Sequence, residues 1–344
     1  MRGMSRTRRL VLRGEDAHDL PLLQQAAETI RAGGLVAFPT ETVYGLGADA
    51  LNPGAVRRVF QAKGRPSWDP LIVHLDTREQ LFLLTRDQPA VVQMLLERFM
   101  PGPLTLVLFK TPLVPDEVTA GLPTVALRMP AHPVARALIR LSGTPIAAPS
   151  ANKFGRPSPT TAEHVLHDLE GEIDVVLDAG PTPVGVESTV LDMTTQPPTL
   201  LRPGATPVEA LEAVVGTVHL LPKPTAEGEA LRSPGLSARH YAPQARVLLC
   251  EPVPEALLAQ TEHALQQGKT VGVMKPIGWP LPSHPRLRVY TWGEWGNWRA
   301  LAQRLFDGLR WLESEGVHTI VCPLPPPQEL ALAIRDRLER AARS

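Results

Sequence analysis

Residues 35–47, LVAFPTETVYGLG, join a short apolar run to a polar segment that contains two glycines. The run Leu35–Phe38 predicts a short buried strand, and the segment Pro39–Gly47 follows it directly. Open α/β sheets bind ligands at the loops that follow the carboxyl ends of strands. Because Gly45 and Gly47 also permit close backbone approach, Pro39–Gly47 is either part of a ligand site or a turn with satisfied hydroxyls.

Outward from this stretch, apolar runs alternate with segments of helical period. A helix is predicted over 53–63, since Asn52 can cap its start and Gly64 follows its end. A second helix is predicted over 20–32, with Asp19 as its cap. The remaining predicted elements are strands 8–13, 71–75, 104–109, 124–128, 146–148, 175–177, 189–193 and 199–201, and helices 88–98, 132–142, 161–169 and 207–214.

This alternation indicates an α/β protein, and the 344 residues favour two domains. Residues 1–215 are predicted to form a large twisted sheet, mixed because several connections are too short for crossover helices. Residues 216–245 are rich in Pro, Gly and Ala and lack periodicity, which predicts a linker. A smaller three-layer, Rossmann-like α/β domain is predicted over 246–344. Its expected elements are strands 246–250, 269–274, 286–291 and 318–322 and helices 254–267, 298–315 and 327–342.

Composition excludes several classes of protein. Lys+Arg and Asp+Glu number 35 each, which argues against a protein that mainly coats nucleic acid. Cys250 and Cys322 are the two cysteines and rule out a disulfide scaffold or a Cys-rich metal site. No run approaches the roughly 18 apolar residues of a membrane span. The basic start, MRGMSRTRRLVLRG, lacks the apolar core of a signal peptide, so we expect a cytoplasmic protein.

Several cations stand at the predicted ends of helices and strands. Lys63 and Arg65 flank Gly64; they either complement the helix dipole or clamp a phosphate, with Lys as a point charge and Arg as a planar fork. His74 interrupts an apolar strand, either as a satisfied core histidine or as a ligand group. Arg128 ends another strand and must pair with an anion, either a structural acid or a ligand carboxylate.

Hydroxyl and amide groups occupy similar positions. Ser150 and Asn152 lie two residues apart, so in an extended segment they point the same way; the alternative is a Ser/Asn turn. No His–Asp pair is placed to activate Ser150, so we do not assign it as a nucleophile. Arg202 ends a strand, and His240 and Tyr241 follow Arg239 within the predicted linker. Together these groups suit an anionic substrate such as a nucleoside triphosphate beside a carboxylate.

These motifs resemble those of the YrdC-like threonylcarbamoyl-AMP synthase family. The resemblance covers about residues 10–215, while the linker and the C-terminal domain are similar to the long form of the family. The motifs that carry it are Pro39–Gly47, Lys63-Gly-Arg65, Pro70-Leu-Ile-Val-His74, Ser150-Ala-Asn152 and Glu187-Ser-Thr189.

The resemblance implies an enzyme that condenses L-threonine, bicarbonate and ATP into L-threonylcarbamoyl-adenylate and releases pyrophosphate. Mg²⁺ would accompany ATP, and no protein-only metal site is expected. The product would serve tRNA threonylcarbamoyl transferase proteins, which modify the adenosine next to the anticodon of ANN-decoding tRNAs. Weak binding of tRNA itself is a further option that the resemblance leaves open.

The resemblance also implies roles for residues at matching positions. It places L-threonine at Thr42, His74, Arg128, Ala148 and Ser188. It places ATP or the adenylate at Arg65, Asp69, Thr124, Ser150, Ser158, Arg202 and Tyr241. The residues expected to act in catalysis are Lys63, Arg65, Ser150 and Asn152. Asp69 departs from the family, which often has Asn there, and an acid beside phosphates is unfavourable unless it faces magnesium or a backbone amide.

Two other functions remain open at this point. Carbamoyl transferases of the hydrogenase-maturation kind share a YrdC-like domain, but they carry paired CxxC zinc motifs and an acylphosphatase module. The two isolated cysteines of this chain argue against that assignment. An RNA-binding protein without synthase activity is the second alternative, and the neutral net charge and the absence of a stacking-aromatic motif argue against it.

We expect that cutting the chain after residue 215 lowers pyrophosphate release. Carbamates and mixed anhydrides hydrolyse readily, so a linker that closes over the site would protect them from water. The measurement compares pyrophosphate release by the fragment and by the full chain under identical conditions. Full activity of the fragment would show that the linker is not a lid.

Overall fold

The computed structural model describes residues 6–86, 88–220 and 240–343. Its described residues divide into two compact units. The first holds 6–86, 88–154, 159–183 and 187–220, and the second holds 155–158, 184–186 and 240–343. Arg239 and residues 221–238 of the predicted linker lie outside the described residues, so the role of the linker stays a prediction.

The first unit contains one mixed sheet with helices. Its strands are β1 (Arg8–Val11), β2 (Val36–Pro39), β3 (Tyr44–Asp49), β4 (Ile72–His74), β5 (Leu104–Phe109), β6 (Thr124–Arg128), β7 (Ile146–Ala147), β8 (Val175–Asp178), β9 (Thr189–Asp192), β10 (Thr199–Arg202) and β11 (His219–Leu220). Its helices are α1 (Asp16–Arg31), α2 (Pro53–Lys63), α3 (Arg78–Leu84), α4 (Ala90–Phe99), α5 (Asp116–Thr119), α6 (Pro133–Ser142), α7 (Ala162–Leu169) and α8 (Val208–Val215).

The strand order in this sheet is β1-β8-β2-β3-β7-β4-β6-β5-β9-β10-β11. Parallel pairs such as β4 with β6 and β5 with β9 alternate with antiparallel pairs such as β2 with β3 and β5 with β6. The prediction of a large mixed sheet is therefore confirmed. The register places the carboxyl ends of β4, β6 and β10 near the start of β9. His74 lies opposite Arg128, β6 and β9 both pair with β5, and Arg202 lies opposite Val190.

Helix α2 begins and ends where the sequence predicts. The side chain of Asn52 accepts hydrogen bonds from the N–H groups of Gly54 and Ala55, at 3.0 and 3.2 Å. Gly64 takes a left-handed conformation with φ of 62°, which ends the helix and turns the chain toward Arg65. Val56 and Val59 are buried against the core. The capped ends and the buried face together fix where Lys63 and Arg65 lie.

The segment Pro39–Gly47 contains the turn of a β-hairpin and most of its second strand, β3, which the sequence analysis did not predict. Strand β3 pairs antiparallel with β2, and Phe38 lies opposite Gly45. Glycine is depleted in strands, which hides β3 in the sequence. Here a Cβ on Gly47 would lie 2.7 Å from the Phe38 ring, so the strand needs glycine for space.

Helix α1 begins at Asp16, earlier than predicted. Asp19 is not its cap. Its carboxylate instead accepts hydrogen bonds from the N–H groups of Arg13 and Gly14, at 2.9 and 2.8 Å. The sequence analysis also missed α3, whose start is a capping box between Thr77 and Gln80.

The second unit contains a four-stranded parallel sheet with helices, as predicted. Its strands are β12 (Arg246–Cys250), β13 (Val271–Pro276), β14 (Leu287–Gly293) and β15 (Thr319–Pro323), and its helices are α9 (Pro254–Gln266), α10 (Trp298–Ser314) and α11 (Glu329–Ala341). The strand order is β12-β15-β13-β14. Cys250 and Cys322 are both free thiols. Within the described ranges no helix combines the length and the apolar character that crossing a membrane requires.

We expect Gly204→Ala to destabilise the protein by about 3 kcal/mol, the upper end for overpacking. A Cβ at Gly204 would lie 2.3 Å from the backbone of Ser188 and of Thr189, and backbone atoms cannot move aside as a flexible side chain can. The free energy of unfolding in urea measures the effect. The control is Gly64→Ala, which meets no atom within 4 Å and costs about 1–2 kcal/mol for its left-handed backbone. Equal losses in the two variants would contradict the prediction.

Candidate active site

Arg65 organises the loop that follows α2. Its Nε and Nη2 donate to the carbonyls of Asp69 and Pro70, at 3.1 and 2.8 Å. Its Nη2 also lies 2.8 Å from Asp69 Oδ1, and both side chains are buried. The ring of Phe154 lies 5.9 Å from the guanidinium carbon. The loop therefore folds around the guanidinium and holds it in one orientation.

Lys63 connects α2 to the Ser150-Ala-Asn152 segment. Its side chain is 2% exposed, and its Nζ donates to the backbone carbonyls of Ser150, at 2.6 Å, and Asn152. Burial lowers the pKa of Lys63 well below its usual value, and the charge of Arg65 acts in the same direction. The two sequence motifs that the analysis singled out, Lys63-Gly-Arg65 and Ser150-Ala-Asn152, are therefore in direct contact.

Asp69 lies within the fields of three cations from two distant parts of the chain. Burial raises the pKa of Asp69, while the charges of Arg65, Lys63 and Arg202 oppose that rise. Arg202 ends β10, whereas the other two cations lie at the end of α2. The structure thus brings the predicted cations together. The partner of Asp69 is Arg65, rather than either of the two partners that the sequence analysis considered.

The Ser150 segment runs beside β3. Leu46 N–H donates to Pro149 O at 2.7 Å, Ala151 N–H donates to Tyr44 O at 2.8 Å, and Gly45 forms an isolated bridge with Ser150. Asn152 donates through its side-chain amide to Lys153 O at 2.8 Å. The segment is extended beside the hairpin as far as Ser150. Asn152 N–H then donates to Ser150 O at 3.0 Å, so the chain turns between these two residues, which is the turn alternative of the sequence analysis.

A second group of predicted residues gathers around Arg128. His74 and Arg128 are register partners on the parallel strands β4 and β6. Arg128 Nη1 donates to Thr42 Oγ1 at 2.9 Å, and its Nη2 donates to Glu41 Oε1 at 2.5 Å. A structural acid therefore pairs with Arg128, while a ligand carboxylate at this residue stays a prediction. Sequence reasoning assigned no role to Glu41, although a lone acid between two threonines beside a buried strand was a visible signal.

Ser188 links the two groups. Its hydroxyl lies 2.8 Å from Thr105 Oγ1 on β5, the strand that pairs with the Arg128 strand. Arg202 Nη2 donates to the carbonyl and the hydroxyl of Ser188, at 3.0 and 3.2 Å. A residue predicted for the amino acid is therefore bonded to a residue predicted for the nucleotide. Ala148 is also buried in this unit, where its N–H donates to Ile72 O at 2.9 Å.

His74 is a buried histidine packed edge-on against Phe38, with ring centroids 6.2 Å apart. Burial lowers its pKa to about 3, and the charge of Arg128 adds to the effect. The ring is therefore neutral near pH 7. Among the described residues its Nδ1 has no hydrogen-bond partner.

Three further residues predicted for ATP lie in other elements of the chain. Thr124 begins β6 and pairs with Phe109 in the first unit. Ser158 and Tyr241 belong to the second unit. There the Tyr241 ring lies 5.6 Å from that of Phe306, and its backbone has a φ of 61°. The ATP roles of these three residues stay predictions.

Two protein-family models match the chain. The Sua5/YciO/YrdC family model, described as telomere recombination, matches residues 28–204. A second model, described as the C-terminal domain of threonylcarbamoyl-AMP synthase, matches residues 206–343. Together the two models span both the larger and the smaller predicted domain.

Individual relatives match over nearly the whole chain. The threonylcarbamoyl-AMP synthase of Pyrococcus abyssi (strain GE5 / Orsay) is 45% identical over 322 residues, which cover 92% of this chain and 93% of the relative. That of Bacillus subtilis (strain 168) is 46% identical over 332 residues, covering 94% and 93%. The crystal structure of P. abyssi Sua5 complexed with L-threonine has a TM-score of 0.90 at 43% identity, covering 98% of this chain and 97% of that one.

We expect His74 to make stability depend on pH. Its pKa is about 3 in the fold against 6.5 for the ordinary side chain, so between these values the unfolded chain binds a proton that the folded chain does not. This contribution is complete above pH 6.5 and is lost as the pH falls toward 3. From pH 7 to pH 5 the loss should be about 2 kcal/mol in the free energy of unfolding.

Urea unfolding at pH 7 and pH 5 measures this loss. Between pH 7 and pH 5 the free energy of unfolding of the variant His74→Asn should fall by about 2 kcal/mol less than that of the parent. His219→Asn is the matched control because His219 is exposed, and it should behave as the parent does. An unchanged pH dependence in His74→Asn would contradict the prediction.

Proposed function

The chain belongs to the threonylcarbamoyl-AMP synthase family, and from this premise we propose how its first unit binds the substrates. The activity of the protein is threonylcarbamoyl-AMP synthesis, a transferase reaction that forms an AMP-linked product. The observation that carries the assignment of residues is the contact between Arg202 and Ser188. It joins the cluster of Lys63, Arg65 and Asp69 to the neighbourhood of Arg128.

The cation cluster is our proposed site for the ATP phosphates. Arg65 and Arg202 bring fixed guanidinium groups from separate segments, and Lys63 adds an amine at the Ser150 segment. A phosphate beside Lys63 would favour the protonated form of its side chain, against the effect of burial. Ser150 and Asn152 would contact the nucleotide from the segment that Lys63 holds.

The Arg128 neighbourhood is our proposed site for L-threonine. Thr42, His74, Ala148 and Ser188 are all buried in the first unit. Thr42 accepts a hydrogen bond from Arg128, and His74 is the register partner of Arg128. A solved relative is named as a complex with L-threonine, which supports an amino-acid substrate for this chain. Arg128 would bind the carboxylate, and neutral His74 would offer a hydrogen bond without adding charge.

The chemistry that we propose proceeds without a covalent enzyme intermediate. The ammonium group of bound threonine first loses its proton to solvent. The neutral amine then attacks bicarbonate, and loss of water gives N-carboxythreonine. The new carboxylate then attacks the α-phosphate of ATP, the bond to the β-phosphate breaks, and pyrophosphate leaves. Two anions approach each other in this step, so fixed cations beside the phosphates lower the barrier. The remaining contribution is alignment of the reacting atoms.

Magnesium enters this scheme as part of the substrate Mg-ATP. Within the described ranges no group of three or more His, Cys, Asp or Glu side chains is placed to hold a metal ion. Asp69 is the acid of the cation cluster, and it is paired with Arg65. Phosphate oxygens of ATP and water molecules would supply ligands of the ion.

The partners that follow from this function are part of the proposal. The adenylate would pass to tRNA threonylcarbamoyl transferase proteins, which use it to modify ANN-decoding tRNAs. This places the enzyme in the cytoplasm, where tRNA is processed. Weak direct binding of tRNA is compatible with the scheme but is not needed for it.

We expect Arg65→Lys to reduce pyrophosphate release by about 100-fold, because Lys keeps the charge but loses the planar set of donors. The assay contains L-threonine, bicarbonate and Mg-ATP, and mass spectrometry identifies the adenylate. The matched control is Arg57→Ala on α2, whose side chain is exposed and pairs with Glu117. Thermal unfolding of both variants shows whether the fold is retained.

Turnover of a folded Arg65→Lys variant near that of the parent would contradict the phosphate site. Absence of the adenylate in the parent reaction would contradict the function itself. An RNA gel shift run beside the assay separates the remaining alternative, since an RNA-binding protein without synthase activity would shift RNA and form no adenylate.

A further inference from the structure

Glu41 is a buried acid that the proposed mechanism does not use. It lies in the turn of the hairpin between β2 and β3, and its exposed fraction is 8%. Its Oε1 accepts a hydrogen bond from Arg128 Nη2 at 2.5 Å, and its Oε2 accepts one from Ala131 N–H at 3.0 Å. Both carboxylate oxygens thus accept hydrogen bonds from Arg128 or from the chain that directly follows it.

The guanidinium of Arg128 is held from three directions. Glu41 binds Nη2, Thr42 binds Nη1 at 2.9 Å, and the carbonyl of Gly102 accepts from Nε at 3.2 Å. Glu41 and Thr42 are adjacent in one hairpin turn, so this turn fixes both terminal nitrogens. A guanidinium held in this way keeps its orientation before any substrate arrives, which reduces the cost of ordering it on binding.

The pair also carries no net charge. Burial alone raises the pKa of Glu41, but the charge and hydrogen bond of Arg128 outweigh burial and lower it, so the acid is ionised. L-Threonine near neutral pH is a zwitterion and likewise has no net charge. If Glu41 were neutral, Arg128 would be a buried cation, and a buried cation favours an anionic ligand.

We propose that Glu41 is a positioning and specificity residue for the amino-acid substrate. It holds Arg128 in place and cancels its charge, so the pocket favours a zwitterionic amino acid over an anion of the same shape that lacks the ammonium group. This inference rests on the proposed function, because it takes the carboxylate of L-threonine to bind at Arg128.

The test uses the full chain and two ligands, L-threonine and 2,3-dihydroxybutanoate of matching configuration. In the second ligand a hydroxyl replaces the amino group, so the shape is retained and the net charge is −1. Calorimetric titration gives both dissociation constants for the parent and for Glu41→Gln. We expect Glu41→Gln to weaken L-threonine binding at least about tenfold and to weaken the anion much less, so that the preference for threonine falls by a similar factor.

Two controls accompany the titration. Glu117→Gln removes an acid that pairs with exposed Arg57, and it should leave both constants within about twofold. ATP binding by Glu41→Gln should also stay within about twofold, because Glu41 acts on the amino-acid side of the site. A general loosening of the fold would instead weaken ATP as well, which would overturn the proposal.

Equal weakening of the two ligands in Glu41→Gln would show a structural role alone and would overturn the specificity assignment. Unchanged binding of both would overturn the whole inference. If the parent itself does not bind L-threonine, the proposed function fails, which is a different result. If Glu41→Gln does not fold, Glu41→Asp replaces it. The shorter acid keeps the charge, so both ligands should weaken while the preference for threonine persists; loss of that preference would overturn the proposal.

Discussion

A cation that leaves water needs an opposite charge or several hydrogen-bond acceptors, and this requirement shapes the first unit. Lys63, Arg65, Arg128 and Arg202 are all buried there. Each is met by atoms from another part of the chain or from its own loop, mostly by backbone carbonyls. These bonds tie the end of α2 to the Ser150 segment, β6 to the β2–β3 hairpin, and β10 to the residue before β9. The same bonds hold the cations at the positions that we propose for the triphosphate and the amino acid.

The two halves of the proposed site are joined through Ser188. Arg202 binds it from the nucleotide side, and Thr105 connects it to the strands that carry Arg128. A displacement of Ser188 would therefore reach both substrates at once. The close backbone approach at Gly204 fixes Ser188 from a further direction. Alignment of two substrates on one rigid junction suits a reaction whose catalysis depends on position and charge.

The sequence predicted elements that carry local signals. Helix α2 has its cap at Asn52 and its stop at Gly64, and both are visible without any tertiary information. Strand β3 was missed because glycine occupies two of its positions. At Gly47 the cause is the ring of Phe38 on the neighbouring strand and the side chain of Ile146, which leave no space for a Cβ. Asp19 is a residue type that often caps helices, but here its carboxylate accepts hydrogen bonds from the backbone before the helix.

The sequence pointed to unusual cations but not to their partners. A buried Arg128 demanded an anion, yet the sequence could not say that Glu41 supplies it, because the two are brought together by the hairpin and not by local spacing. In the same way, Lys63 was identified as an unusual cation, but its carbonyl acceptors follow from the path of the Ser150 segment. Pairing across the chain is a property of the tertiary fold, so a single sequence does not contain it in a local form.

The acceptors of Lys63 are main-chain oxygens, and this has a consequence for how such a site can change over time. Every amino acid carries the same carbonyl, so replacing the side chain at 150 or 152 leaves the acceptors of Lys63 in place. The backbone contacts that hold the pocket together can therefore stay the same while the side chains at 150 and 152 change. Mutation can explore new linings at these positions while the framework persists, which makes the scaffold tolerant of evolutionary drift toward related substrates.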